Sequence, residues 1–268
     1  MPFTASHAVV ALPFLRTPLI PAAIAVGAMA PDLPLFVRQV VPSYSTTHDL
    51  TAIALTTVIA LALFLLWRCL LRPAAAHLLP GFIGERLPEA WQQSTGATLR
   101  ETFVGSRGAT SGVARVTVTT LTLLLSLALG IVSHVVWDSF THEGRLASAW
   151  LAADWGPLPA FKWLQHGSSL LGLIILAIWG IRWLRRHERV AVAERLPGWV
   201  RTWWIIALPV CLIAATVWGF ITYGPLTADW TIAHLAYRVL PPACAVWAVL
   251  TVGLCVVAVA RSSQRAHA

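Results

Sequence analysis

The chain has 268 residues, a mean hydropathy of +0.73, 57% hydrophobic residues and 11% charged ones. Soluble domains carry about 25% charged residues, so this composition excludes a globular enzyme with one water-facing shell, and with it disorder, collagen and a disulfide scaffold. The net charge of +8 does not point to nucleic acid, because the arginines flank apolar runs: six lie in Arg68–Arg115, six in Arg182–Arg201, and Arg261 and Arg265 close the tail.

Two uncharged stretches come first, Met1–Leu15 and Thr17–Pro31, meeting at Arg16 and holding Pro2, Pro13, Pro18, Pro21 and Pro31. Each is short for a hydrocarbon core that takes about 20 helical residues. A hairpin of two short antiparallel helices, turning at Arg16 to Pro21, fits better and brings His7 close to Asp32. Ala28, Met29 and Ala30 mimic a signal-peptidase site, but the uncharged start, the internal prolines and Pro31 right after it argue against cleavage.

Five runs free of Asp, Glu, Lys and Arg follow, namely Leu50–Trp67, Val116–Trp137, Trp163–Ile181, Thr202–Ala228 and Val239–Ala260. Tryptophans such as Trp67, Trp137, Trp163 and Trp203 sit near their ends, where indole rings settle at the headgroup level. The expected fold class is all-α, a polytopic transmembrane helix bundle of five full spans plus the N-terminal short-helix hairpin. It forms one integral membrane domain over residues 1–268: a hairpin at 1–47, motif-bearing helices at 48–185 and C-terminal helices at 186–268. With both arginine-rich loops on the cytoplasmic side, alternation and charge agree, and the outward segments carry only Arg145, Lys162 and Arg238. The loop between the first two spans has room for one interfacial helix, broken by Pro73, Pro80, Gly81, Gly84 and Pro88.

Histidines and carboxylates are costly at membrane depth, and here they cluster. His7 and Asp32 flank the hairpin, and His48 and Asp49 open the first span. His134, Asp138 and His142 close the second in the stretch SHVVWDSFTH, and His166 precedes the apolar part of the third. A step of four residues turns a helix about 400°, so His134 and Asp138 share a face, with His142 about 80° further round. One such residue at a helix end is ordinarily solvated; three on one face point to a ligand. Asp49 follows Ser45, Thr46 and Thr47 and has a bland role as a helix-start residue. His48 has none and is more comfortable neutral, hydrogen-bonded or on a metal. All these groups fall on the predicted outward side. They supply N and O ligands for one divalent metal and room for a second, a set suiting zinc better than Ca²⁺ or Mg²⁺. Cys69, Cys211, Cys244 and Cys255 lack CxxC spacing and read as core or lipid-facing residues. No Walker motif, GxSxG or GxGxxG occurs.

The segments MPFTASHAVVALPF, GAMAPDLPLF, TTHDL, SHVVWDSFTHEG and LQHGSSLLGL, in this order, resemble the bacterial membrane family known as domain of unknown function 4184. The resemblance covers about the first 185 residues. The same pattern is similar to inner-membrane metal-dependent hydrolases, whose ligands follow by analogy from zinc-dependent phospholipase C. Carried over, this implies His7, Asp32, His48, His134 and Asp138 as metal ligands in a multi-pass protein of the bacterial cytoplasmic membrane, with His142 and His166 as further candidates from the first family's motifs.

Two functions compete. One is a metal-dependent hydrolase at the outer face acting on a phosphoester or lipid-linked substrate, with Asp49 or Asp138, whichever is not a ligand, orienting water or taking its proton. Arg145 and Lys162 could hold an anionic head group, although an anchoring role is the simpler reading. The other is a non-enzymatic membrane protein that binds metal, scaffolds or transports; transport ranks lower because the polar groups sit at one edge rather than along a path. Membrane lipids are the expected surroundings and nucleic acid is not a partner. His77, His187 and His267 are expected to be solvated, and Asp229 and His234 to face solvent.

Overall fold

The computed structural model describes residues 4–37, 42–105, 112–192, 196–228 and 230–266. Residues 1–3 of the expected hairpin, Arg107, Arg195, Asp229 and His267 lie outside them.

The first limb of the hairpin, Thr4–Phe14, is a 3-10 helix with Pro13 inside it. The second is α1 (Pro21–Met29), whose first residue is a proline that needs no N–H there. A 3-10 turn at Ala30–Asp32 leads into α2 (Leu33–Phe36). The short α3 (Tyr44–Thr47) starts at Ser43, whose hydroxyl accepts from the Thr46 N–H. Asp49 then caps the 3-10 turn Leu50–Ala52, which runs on into α4 (Ile53–Leu66). A π-helical turn, Trp67–Leu71, joins α4 to α5 (Arg72–Leu78), and α6 (Gly81–Gly84) and α7 (Thr95–Val104) follow. The long α8 (Gly112–Thr141) precedes a two-residue antiparallel ladder of β1 (Asp154–Trp155) and β2 (Leu158–Pro159). Three long helices complete the chain: α9 (Ala160–Arg186), α10 (Gly198–Tyr223) and α11 (Ile232–Ala266).

Among the described residues, five helical stretches are long and apolar enough to cross a membrane: Leu50–Leu78, Gly112–Thr141, Ala160–Arg186, Gly198–Tyr223 and Ile232–Arg261. The protein is a multi-pass helical membrane protein, with the short apolar hairpin in front as expected. Two span ends differ from expectation. The first helix does not stop at Trp67, because the π turn carries it past Arg68, and the Arg72 guanidinium lies 5.4 Å from the Trp91 ring and donates to the Ala90 carbonyl. The fourth stops at Tyr223 rather than Ala228, because Gly224 adopts φ 78° and turns the backbone out of the helix.

The chain divides into two compact units. In the unit of residues 4–34, 42–66 and 98–186, α1 crosses α8 at two glycines. A Cβ on Gly27 would lie 2.2 Å from the Leu127 carbonyl oxygen, and one on Gly130 would lie 2.2 Å from that of Ile24. Only glycine lets the two backbones approach so closely, the small-residue contact that holds helices together where lipid removes the hydrophobic drive. The N-terminus of α1 is tied down at the same crossing, where the Ile20 N–H donates to Ser126 Oγ at 3.0 Å. The outer face of α8, with Val118, Leu121 and Leu125, is exposed and apolar, as a lipid-facing surface must be.

In the other unit, which takes in residues 35–37, 67–97 and the described residues of 187–266, Ala74, Leu78, Leu196, Cys255 and Ala258 form a buried cluster. Trp204 stacks on Trp247 and donates to Thr251 Oγ1 at 2.8 Å. His77 departs from the expected solvation: it is 2% exposed, on the inner face of α5, with its carbonyl accepting from Arg201 Nε. His234 is exposed, as expected, and its ring meets the Thr231 hydroxyl.

Candidate metal centre

The glycine crossing sets the first ligand. By bringing α1 against α8 it places the Ala28 carbonyl 2.7 Å from His134 Nδ1. A carbonyl only accepts, so Nδ1 carries the proton and Nε2 presents its lone pair on the opposite side. One turn on, Asp138 shares the buried face, as the four-residue spacing predicts, with its Oδ2 3.4 Å from His134 Nε2.

The second imidazole arrives from the segment before the first span. His48 ends α3, and its Nδ1 donates to the Tyr44 carbonyl at 2.9 Å while the Tyr44 ring stacks on it at 3.8 Å. Its Nε2 therefore also presents a lone pair. Thr47 ties this segment to the hairpin by donating to the Pro31 carbonyl at 2.7 Å. Next to Pro31, Asp32 is held by Thr4, whose hydroxyl donates to Oδ2 at 2.7 Å and leaves Oδ1 facing inward. The two ends of the hairpin thus meet through Thr4 and Asp32.

Four ligand atoms converge. His48 Nε2 and His134 Nε2 are 3.1 Å apart; Asp138 Oδ2 is 3.5 and 3.4 Å from them, and Asp32 Oδ1 3.7 and 3.6 Å. All four lie within 4.8 Å of one another, on residues at most 3% exposed. With both Nδ1 protons spent on carbonyls, the cluster is made of lone pairs pointing at lone pairs, an arrangement that costs energy unless a cation sits among them. The spacing suits one: the centre of a tetrahedron of edge about 3.4 Å lies about 2.1 Å from each corner, the bond length of zinc to imidazole N or carboxylate O. The residues present therefore fit a divalent ion, and the carbonyls and hydroxyl behind them are the outer contacts that ligating histidines and carboxylates need.

His142 comes to the same place but in another role. Its Nδ1 lies 3.3 Å from Asp138 Oδ2, and its Nε2 lies 3.1 Å from the side-chain nitrogen of Gln165. Gln165 Oε1 accepts from Lys162 Nζ at 3.2 Å, which fixes the amide so that its NH₂ donates to His142 Nε2. The proton of His142 is then on Nδ1, directed at Asp138. Both its nitrogens are engaged, which places His142 to orient Asp138 rather than to offer a free lone pair of its own. Burial keeps it below the ordinary histidine range.

His7 lies against the cluster, its ring centroid 4.1 Å from that of His134 and its Nε2 3.6 Å from Asp138 Oδ1. Burial, and then the neighbouring His134 imidazole, push it down to about 3. Tyr44 donates to Asp138 Oδ2 at 3.4 Å, and burial, followed by the Asp138 and Asp32 carboxylates, raises its phenol and keeps it protonated.

Two expected site residues are not brought in. Asp49 is exposed, and its Oδ1 accepts from the Thr51 N–H at 2.9 Å; that bond holds its carboxyl below the usual range and accounts for the residue as a helix cap. His166 is exposed on α9, and its neighbour Gln165, fully buried, takes the inward position. Sequence reasoning missed Gln165, Thr4 and Tyr44. For Gln165 a signal existed, since a polar amide in an apolar helix is itself costly.

The profile of one family, the domain of unknown function DUF4184, matches residues 1–259 of the chain. No curated protein and no solved structure matches it.

Proposed function

We propose that this chain, which belongs to the family of the domain of unknown function DUF4184, is a metal-dependent hydrolase of the bacterial cytoplasmic membrane, acting on a phosphoester or lipid-linked substrate at the outward face. The observation that carries this reading is the buried cluster of four inward-facing acceptor atoms on Asp32, His48, His134 and Asp138. Bound there, a zinc ion supplies a water with a pKa near 7 and a Lewis acid for a phosphoryl or acyl oxygen.

The chain's own residues do the rest. His48 and His134 keep their protons on Nδ1 and offer Nε2, and Thr4 and His142 hold the two carboxylates in position. His142 is 22% exposed at its side chain and so stands at the way in, with a proton on Nδ1 that it can share with Asp138. The site sits at the start of the Leu50–Leu78 span, the end of α8 and the start of α9, which is the level of lipid head groups. The arginine-rich loops lie at the other ends of these spans, and the positive-inside tendency supports reading this as the outward side. Arg145, directly after SHVVWDSFTHEG, adds a cation for an anionic head group.

A second reading is favoured by one feature: four protein donors, nearly without exposure, are the mark of closed structural zinc sites rather than catalytic ones, which keep a position open. In that case the ion staples the hairpin to the first two spans. Elemental analysis of the purified protein and of His134→Ala, together with hydrolysis of a soluble short-chain phospholipid with and without chelator, decides. The hydrolase reading expects zinc in the wild type, its loss in the variant and chelator-sensitive turnover. Zinc without turnover leaves the staple, and unchanged metal content in His134→Ala overturns both.

A further inference from the structure

We infer that a second divalent cation binds between His7 Nε2 and Asp138 Oδ1, so that the Asp138 carboxylate bridges two ions. This rests on the first ion proposed above.

These two atoms are buried and have no hydrogen-bond partner among the described residues. Their side chains are 5% and 2% exposed, and the atoms face each other at 3.6 Å. At that separation the pair is too long for an N–H···O hydrogen bond, whose usual range is about 2.7–3.2 Å. It is also too short for a bridging water, since two hydrogen bonds of about 2.8 Å would have to close to an angle of roughly 80° at the water. A cation with bonds of about 2.0–2.1 Å to each atom subtends roughly 120°, an ordinary coordination angle. The distance also falls in the range of 3.1–3.7 Å measured between the atoms of the four-ligand cluster.

The two oxygens of Asp138 are divided between partners. Oδ2 faces His48, His134 and His142, while Oδ1 faces His7. Asp32 is not divided in this way, because Thr4 closes its second oxygen. Asp138 is therefore the bridging carboxylate. With one imidazole and one shared carboxylate oxygen from the protein, the second ion keeps open positions for water or a substrate oxygen, and is held more weakly than the first. The N/O ligand pair suits zinc or a neighbouring first-row ion.

Zinc binding to the full-length protein in detergent, followed by elemental analysis after equilibration at graded free zinc, tests this. The wild type is expected to bind two ions per chain, the second at least about tenfold more weakly, as two protein ligands against four imply. His7→Gln is expected to bind one, with the tight affinity unchanged. The Co²⁺-loaded wild type should show magnetic coupling between its ions that His7→Gln lacks. Saturation of the wild type at one ion, with His7→Gln identical, overturns the second site and leaves the first standing. A wild type that binds no zinc tightly overturns the metal centre itself. Should His7→Gln fail to fold, the wild-type stoichiometry and coupling decide alone.

Discussion

His134 Nδ1 lies 2.7 Å from the carbonyl oxygen of Ala28, and this one bond couples the packing of two helices to the orientation of a ligand. Ala28 is in reach only because Gly27 and Gly130 let α1 and α8 touch backbone to backbone. A methyl group at Gly130 would overlap the Ile24 carbonyl and push the helices apart, withdrawing the acceptor that fixes the imidazole.

Gly130→Ala is therefore expected to lower stability by about 1–3 kcal/mol, the usual cost of overpacking, and to weaken zinc binding with it. The control is Gly167→Ala on α9, where a Cβ meets nothing within 4 Å. There the change is expected to be neutral or to stabilise by up to about 1 kcal/mol, because alanine is the better helix former. Thermal unfolding in detergent and metal content measure both. Equal effects at the two glycines would remove the crossing from the account of the site.

Thr4 offers a test of the support behind a ligand. Its hydroxyl donates to Asp32 Oδ2, so Thr4→Val keeps the volume and removes the bond, while Thr4→Ser restores it. Loss of such an outer contact typically costs about 10- to 100-fold in metal affinity, and that weakening is the expected result for valine, with recovery in serine. An affinity in Thr4→Val equal to that of wild type would show that Asp32 needs no positioning from the hairpin.

Much of this was legible in the sequence, and the parts that were not share a cause. Long uncharged runs gave away the spans because a bilayer tolerates little else, and the His134–Asp138 spacing gave away a shared face because helical rotation is fixed. The helix past Trp67 was hidden because a π turn answers to local packing. His166 stands out in the sequence as an imidazole within a family motif and Gln165 beside it does not, yet adjacent helix positions point about 100° apart, and only packing decides which turns inward. The carbonyls of Ala28 and Tyr44, which set both imidazole tautomers, leave no trace in residue identity at all.

Asp49 and Asp138 separate the cap from the centre. Asp49→Ala removes a helix-start acceptor, and the expected outcome is a modest fall in the thermal midpoint with zinc content and turnover unchanged. Asp138→Ala takes away a carboxylate that faces four imidazoles, and loss of zinc is expected. The comparison is read by elemental analysis on both variants side by side. Zinc lost from Asp49→Ala and kept in Asp138→Ala would reverse the assignment.

The two histidines beside the cluster predict how stability follows pH. Burial, and then the His134 imidazole, push His7 down to about 3, and burial also holds His142 below its ordinary value. In the unfolded chain each takes up its proton as the pH falls through about 6.5. Below that point the unfolded state binds more protons than the folded one, so acid destabilises the fold, and for His7 the window runs down to about 3. Within the window each such group steepens the dependence by up to about 1.4 kcal/mol per pH unit, and above about 6.5 it adds no slope. Thermal unfolding of the chelator-treated protein between pH 7.5 and 4.5, about two units on the acid side and one on the other, reads this directly. The wild-type midpoint is expected to hold steady at the upper end and fall toward acid, and that of His7→Gln to fall less. Parallel curves for the two proteins, or a wild type that gains stability in acid, would mean that His7 is not buried neutral against the centre.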